Sequence, residues 1–476
     1  MLKPYRIALG ACSLVVMISA CSASSPSDVA IWKEDMGASI QKLDQAELWV
    51  AGEVGVVYRD QQSVQPYGEI SPGTGLPPTS DSAFEIGSIS KSFTGILLAE
   101  IADEVAGMSI DNPLSKYIPE LAGTFSGQIT FHQLATHTSG LPRMPCTDPT
   151  ISYCFNPKDP DNPYVDYTAA QLLAYVESYS PSGPGPYAAD YSNTGFALLG
   201  YALTRIENQS FDDLLSERIT TPLGMSRTLV LRPETQVSAM PSLLDAYNVG
   251  RTMVEHWQWD VFASAGGIVS TADDMMKYLA ANVSPGDTAL GRAMHKCHTL
   301  GLGWDSAVGA STLWKNGQTG GFTSMILFDP ATQGGTFVLS NIASIYTMVV
   351  PCSSTTLAAT CPAGELPDLI GLNVPQTKLD AYVGSYEDTA ITTSVQVSRP
   401  GKFLIATVTA SSVFPPGATF RLNATSDTEF NMYDGESAVG YNTLSFVTQA
   451  DATVSGLVAH LNDGSGGYTD IPFARE

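Results

Sequence analysis

Residues 84–95 read Phe-Glu-Ile-Gly-Ser-Ile-Ser-Lys-Ser-Phe-Thr-Gly, and this run restricts the fold more than any other stretch of the chain. A short apolar lead-in reaches a glycine, and an apolar-periodic segment follows that predicts a helix from Ser88 to about Asp103. Ser88 and Lys91, three positions apart, fall on one face of its first turn. There the serine hydroxyl lies near unpaired backbone N–H groups and the positive end of the helix dipole, within reach of the lysine amine. A helix start capped by a serine is the plain alternative, since Ser-x-x-Lys recurs by chance.

Two later stretches favour chemistry over capping. Tyr191-Ser192-Asn193 and Lys315-Asn316-Gly317-Gln318-Thr319-Gly320-Gly321-Phe322 follow in order. Together the three stretches resemble the serine β-lactamase and penicillin-binding DD-peptidase superfamily, most closely its class C β-lactamase, DD-carboxypeptidase and esterase branch. Ile129 to Pro142, containing His137-Thr138-Ser139-Gly140-Leu141-Pro142, and Ala265 to Asp274 also resemble superfamily segments.

The resemblance implies an acyl-enzyme hydrolase with Ser88 as nucleophile. Lys91 would hold or accept its proton, provided a desolvated pocket or a second cation lowers an otherwise high amine pKa. Tyr191 inherits a general-base role: a phenol flanked by the Lys91 and Lys315 ammoniums should have its phenolate favoured. Asn193 would hold Lys91 and a substrate carbonyl. Lys315 would attract a substrate carboxylate or tune Tyr191, and Gly317 would let substrate lie against the strand edge. The backbone N–H groups of Ser88 and Gln318 would form the oxyanion hole. His137 is expected to be structural, because the chain carries no Gly-x-Ser-x-Gly elbow. Two departures weaken antibiotic hydrolysis: Asn316 stands for the usual Thr, and Met144 for a glutamine that contacts the substrate amide. The substrates this machinery serves are β-lactams, D-Ala-terminated peptides, small esters and D-amino-acid amides. An inactive descendant that binds peptidoglycan fragments as a scaffold is the alternative from another functional class.

The expected fold is α+β: an antiparallel sheet flanked by helices, with a helical subdomain, spanning 30–374. A helix is predicted over about Ala30 to Gln45 and a strand over Leu48 to Tyr58. Further helices run from about Thr168 to Ser178 and Thr194 to Glu207, and strands over Gly301–Trp304, Thr312–Lys315, Thr323–Phe328 and Thr336–Ser340. Beyond about Asn373 helix signals fade. Residues 375–476 alternate β-rich runs, Ser394–Val397, Phe403–Val408, Thr443–Val447 and Gly456–Leu461, with Gly, Asp and Asn turns. They read as a small all-β barrel that resembles a lipocalin-like domain.

The 476 residues are enough for these two domains, and the N-terminus adds an address. Residues 1–21 carry a short basic start, an apolar run from Ile7 to Ala20 and then Cys21, which resembles a lipoprotein signal with lipid attached at Cys21. A plain signal peptide cleaved among Ala20 to Ala23 is the alternative. Both export the protein, and residues 22–29 then form a polar tether. Membrane association would be through the N-terminal lipid only. The formal charge of -24 opposes a nucleic-acid partner, which needs clustered Lys and Arg on phosphates. Export permits disulfides, and the neighbours Cys146 with Cys154 and Cys352 with Cys361 are the expected pairs, leaving Cys297 free, although other pairings remain open. No cysteine or histidine spacing matches a metal site, and His295 and His298 beside Cys297 read as surface residues. No cofactor is expected.

Overall fold

The computed structural model describes residues 37–344 and 374–476, apart from 46, 60, 147, 149, 236, 238–239, 241, 307–310, 389, 412–417, 434–441, 450–452 and 463–467. Cys21 and the pair Cys352 and Cys361 lie outside the described residues. The chain divides into two compact units. One comprises Val50–Tyr247 and Met253–Ile342, and the other gathers the described parts of 1–49, 248–252 and 343–476.

The first unit is built on an antiparallel sheet. Its strands are β1 (Ala51–Tyr58), β2 (Gln61–Gly68), β8 (Asp305–Ser306), β9 (Leu313–Gln318), β10 (Thr323–Asp329) and β11 (Gly334–Ser340), arranged β2-β1-β11-β10-β9-β8. A second sheet, ordered β3-β7-β4, joins β3 (Ala83–Glu85), β4 (Leu229–Val230) and β7 (Ile268–Thr271). β5 (Ala246–Tyr247) and β6 (Met253–Val254) form a ribbon. β1, β10 and β11 are buried along nearly their whole length, as expected of strands covered on both faces.

The helix Ser90–Glu104 lies in the core, with every residue from Ser90 to Ala102 buried. A helix this apolar on all sides is stable only when surrounded by protein. Phe93 stacks on Tyr278 of the helix Ala272–Val283, with ring centroids 4.0 Å apart. The helical subdomain includes Phe131–Ala135, Ala169–Ser178 and Asn193–Glu207. Thr130 with Gln133 and Thr168 with Gln171 form capping boxes that satisfy the first amides of two of these helices.

The second unit contains a closed antiparallel barrel, β12 (Gly384–Asp388), β13 (Thr393–Ser398), β14 (Leu404–Ala410), β15 (Thr419–Ala424), β16 (Glu429–Tyr433), β17 (Thr443–Thr448), β18 (Val454–Asn462) and β19 (Tyr468–Arg475). Alternate residues such as Val395, Val397, Leu404, Phe420, Leu422, Phe446 and Phe473 fill its core, and Tyr382 stacks on Phe446 at 4.1 Å. The helical stretch 37–45 is followed by Glu47, which is tied into this unit. Its carboxylate accepts from the Lys402 amide at 2.8 Å, and its carbonyl accepts from Arg421 at 3.0 Å.

Two expectations need correcting. Residues 301–304 are not a strand: Gly301 and Gly303 take positive φ (66° and 75°), closing the helix Ala289–Leu300 and turning the chain before Asp305. His298 is not a surface residue, since its Nε2 meets the buried Asn282 at 2.9 Å, whereas His295 is exposed. Cys146 and Cys154 are bonded to each other, and Cys297 is free and buried.

Glu53 on β1 is buried, and its Oε2 has no hydrogen-bond partner among the described residues. Burial first, and then the charge of Asp273, raise its pKa from 4.5 to about 8. The folded-state pKa lies above the unfolded one. Its contribution to stability is therefore complete below 4.5 and drains away as pH rises towards about 8. Between about pH 5 and pH 8.5 the wild type should lose a few kcal/mol more stability than Glu53→Gln, read from thermal unfolding. Parallel stability profiles for the two proteins would contradict this.

Candidate active site

β3 carries the chain to Ser88. Phe84 pairs with Ser270 and Glu85 with Val269 on β7, and the Ile86 amide donates to the Ile268 carbonyl at 3.0 Å. Gly87 then turns the backbone at φ 48°, and a 3₁₀ turn over Gly87–Ile89 carries Ser88, so the α-helix begins only at Ser90. Ser88 is half-buried, at the mouth of the core.

β9 lies against this turn. A Cβ on Gly317 would sit 2.0 Å from the Ile86 carbonyl oxygen, and one on Gly87 would sit 2.6 Å from the Gln318 amide nitrogen. Gly317 is therefore needed so that the strand can touch the nucleophile's own backbone, and not to leave room for substrate as its sequence context suggests. Ser324 Oγ on β10 donates to the Ile86 carbonyl at 2.8 Å and pins the same junction. β8 pairs only with Leu313 and Trp314, so among the described residues 315–318 form the exposed edge of the sheet. Along β9 burial alternates: Lys315 and Gly317 are buried, while Asn316 and Gln318 point to the other, half-exposed face.

One distant and one neighbouring side chain address the serine hydroxyl. The Tyr191 hydroxyl donates to Ser88 Oγ at 2.6 Å, and Lys91 Nζ lies 3.0 Å from the same oxygen. Lys91 is fully buried and also bonds Asn193 Oδ1 at 2.8 Å and the Ala265 carbonyl at 2.6 Å. Its three partners, the Ser88 hydroxyl, the Asn193 amide oxygen and the Ala265 carbonyl, fix the amine against the nucleophile. Burial, reinforced by Lys315 and Arg143 and opposed by Asp305, holds the Lys91 pKa well below 10.5.

The Tyr191 phenol moves the opposite way from the expectation. Burial raises its pKa, outweighing the Ser88 hydrogen bond and the Arg143 charge that pull it down. The two lysines are nevertheless where the motifs imply, with Lys91 4.8 Å and Lys315 5.1 Å from the centre of the Tyr191 ring. Desolvation of the phenolate exceeds what they return.

Local structure explains how Tyr191 and Asn193 are held. Ser192 caps the helix Asn193–Glu207, its Oγ accepting from the Gly195 amide and donating to the Pro142 carbonyl at 2.7 Å. The Asn193 and Thr194 amides both donate to the Arg143 carbonyl, so the Leu141-Pro142-Arg143 rim closes this helix end. His137, at φ 60°, accepts from the Ser192 amide through Nδ1 at 3.0 Å and lays its ring 4.6 Å from that of Tyr191. Burial and the Lys315 and Lys91 charges hold its pKa down at about 2. It is a neutral support for the tyrosine, as expected of a structural histidine. Met144 Sδ sits 3.6 Å from Asn193 Nδ2, at the edge of the same cluster.

Two residues of the site have no motif to announce them. Asp305 Oδ2 lies 2.9 Å from Lys315 Nζ, with the lysine side chain 1% and the aspartate side chain 30% exposed. The Arg143 guanidinium lies 5.3 Å from the Tyr191 ring centre on the exposed side. Asp305 is one residue beyond a Gly-Leu-Gly-Trp turn, and only the pairing of Asp305 with Trp314 across β8 and β9 brings it to Lys315. No cluster of His, Cys, Asp and Glu able to hold a metal ion occurs among the described residues.

A sequence profile described as Beta-lactamase matches residues 40–346. "Beta-lactamase-like protein 2" of Dictyostelium discoideum is 30% identical over 317 residues, 59% of this chain and 54% of that protein, so the chain spans about half the length of that relative. The "D-alanyl-D-alanine-carboxypeptidase/endopeptidase AmpH" of Escherichia coli (strain K12) is 29% identical over 60% of this chain and 77% of its own length. The solved β-lactamase from Sulfitobacter sp. EE-36 shares the fold, with a TM-score of 0.59 and 23% identity over 70% of this chain and 99% of that one.

Proposed function

Because the chain belongs to the beta-lactamase family, we propose that it is a serine hydrolase that cleaves amide or ester bonds through an acyl-enzyme on Ser88. The observation that carries this reading is the continuous hydrogen-bonded line from Tyr191 through Ser88 Oγ to Lys91 Nζ. Ser88 Oγ attacks the substrate carbonyl carbon as its proton passes to the Lys91 amine. The carbonyl π electrons move onto oxygen, which the Ser88 and Gln318 backbone N–H groups stabilise. Collapse of that adduct breaks the bond to the leaving group, which takes up a proton returned through Lys91 or Tyr191. Water then attacks the acyl-serine by the same route in reverse, giving an acid and free Ser88. In this scheme Tyr191 remains a phenol and serves as donor, while Lys91 is the base. Asn193 positions Lys91, and Lys315 keeps a fixed charge beside the phenol.

The catalytic part is assigned to 30–374 and an accessory role to 375–476. The substrate class is an ester, a D-Ala-terminated peptide or a β-lactam. Incubating the mature protein in parallel with p-nitrophenyl esters, nitrocefin and a D-Ala-D-Ala peptide decides among them, with Ser88→Ala as control. Turnover of none, together with ligand binding that survives Ser88→Ala, would favour the scaffold alternative.

We propose further that the protein is exported and anchored by lipid on Cys21. The basic start and apolar run of 1–21 support this, and among the described residues no helix is long and apolar enough to cross a membrane. Cells fed radiolabelled palmitate should incorporate it into the wild type and not into Cys21→Ala. Equal labelling of both, or of neither, would remove the anchor.

A further inference from the structure

The charges around Ser88 are not equivalent, and their pairing carries information about substrate. Three basic side chains surround the Tyr191 ring, at 4.8 Å (Lys91), 5.1 Å (Lys315) and 5.3 Å (Arg143). Lys91 is saturated by Ser88, Asn193 and the Ala265 carbonyl. Lys315 is 1% exposed and already holds a carboxylate, that of Asp305, at 2.9 Å. Arg143 is exposed, its backbone is locked by the Asn193 and Thr194 amides, and among the described residues its guanidinium has no ion-pair partner. In a chain with 47 acidic residues against 23 basic ones, an arginine beside the Tyr191 ring that has no carboxylate partner among the described residues is conspicuous.

We propose that Arg143, and not Lys315, recognises an anionic group on the acyl donor, and that Asp305 is the internal counter-ion occupying the place at Lys315 that a substrate carboxylate would otherwise take. This rests on the hydrolase reading above and names the substrate class within it: esters or amides carrying a carboxylate placed to reach Arg143. A guanidinium offers a carboxylate two parallel N–H donors, and Arg143 reaches the site from the solvent side, where an incoming anion meets it first. Asp305 repels a second anion from Lys315 and leaves Arg143 as the net positive charge of the cleft. Asp305 is thus a positioning residue that acts through Lys315, and Arg143 is a specificity residue.

The test compares two esters with the same leaving group, p-nitrophenyl butyrate and mono-p-nitrophenyl glutarate, and reads the ratio of their kcat/KM values, anionic over neutral. In Arg143→Gln this ratio should fall by roughly tenfold to a hundredfold, the worth of a charged hydrogen bond. Arg143→Lys should retain part of the preference, and Arg143→Glu should fall below Gln. Asp305→Asn should move the ratio the other way, because it frees the Lys315 charge. It should also shift the acidic limb of the pH–rate profile to lower pH, since Asp305 holds the proton on Lys91. A ratio unchanged in Arg143→Gln while the neutral ester is hydrolysed overturns this inference alone, as does a ratio that falls in Asp305→Asn. Hydrolysis of neither ester overturns the hydrolase reading and the inference with it.

Discussion

Ser88→Ala is expected to lower turnover of any acyl substrate by about 10⁴-fold or more while leaving the fold intact, since it removes the oxygen that both Tyr191 and Lys91 address. Ser88 is half-buried on a 3₁₀ turn whose geometry is set by backbone contacts: Ile86 to Ile268, Gly87 against Gln318, and Ser324 to the Ile86 carbonyl. None of these involves the serine hydroxyl. The unfolding midpoint should therefore change little, and kcat should collapse. Loss of folded protein instead of loss of turnover would mean that Ser88 is a structural cap.

Lys91→Met is expected to cost on the order of 10³-fold in kcat/KM, within the range of a lost general base. Met fills the buried volume and cannot accept a proton. The pH dependence gives the sharper test. Lys91 must be neutral to take the Ser88 proton, so the rate rises as pH rises through its pKa and is lost as pH falls below it. Burial and the charges of Lys315 and Arg143 place that limb well below 10.5. Lys315→Met removes one of the lowering charges and should move the acidic limb upward, because the Lys91 ammonium then loses a repelling neighbour. An acidic limb that ignores Lys315→Met, or a Lys91→Met enzyme of near-normal rate, would return the proton-accepting role to Tyr191.

How much of this was legible in the sequence depends on whether a residue acts through local pattern or through long-range contact. Ser88 and Lys91 share a helical face, and Tyr191-Ser192-Asn193 and Lys315-Asn316-Gly317 are short words whose residue types carry their own chemistry. Tyr191 and Lys91 meet on the Ser88 oxygen, and Lys315 lies 5.1 Å from the centre of the Tyr191 ring. Asp305 and Arg143 belong to no such word. Asp305 reaches Lys315 only because a two-residue strand pairs with β9, and Arg143 only because the helix Asn193–Glu207 begins on its carbonyl. The Tyr191 shift runs against its sequence context because nearby lysines are visible in a sequence, whereas the degree of burial is not. Gly317 was assigned to substrate for the same reason, since only the packing places it against Ile86.

The fold divides in the same way. Long β-branched runs announced β13, β14, β17 and β18. β12, β15, β16 and β19 mix in Glu, Asp, Asn, Arg or Pro on the outward positions, as in Glu429-Phe-Asn-Met-Tyr433, and their strand character comes from barrel closure more than from composition. The Gly301–Trp304 segment reads as a strand because of its apolar residues, and these are buried in a turn that ends a helix.

The most direct measurement is the mass of the protein during turnover. Mature enzyme mixed with a slowly released p-nitrophenyl ester, quenched rapidly in acid and digested, should show one acyl group added, carried by the peptide that contains Ser88. It should be absent from Ser88→Ala and reduced in Lys91→Met. Continued ester hydrolysis with no covalent addition, or an acyl group mapped to any residue other than Ser88, would contradict it.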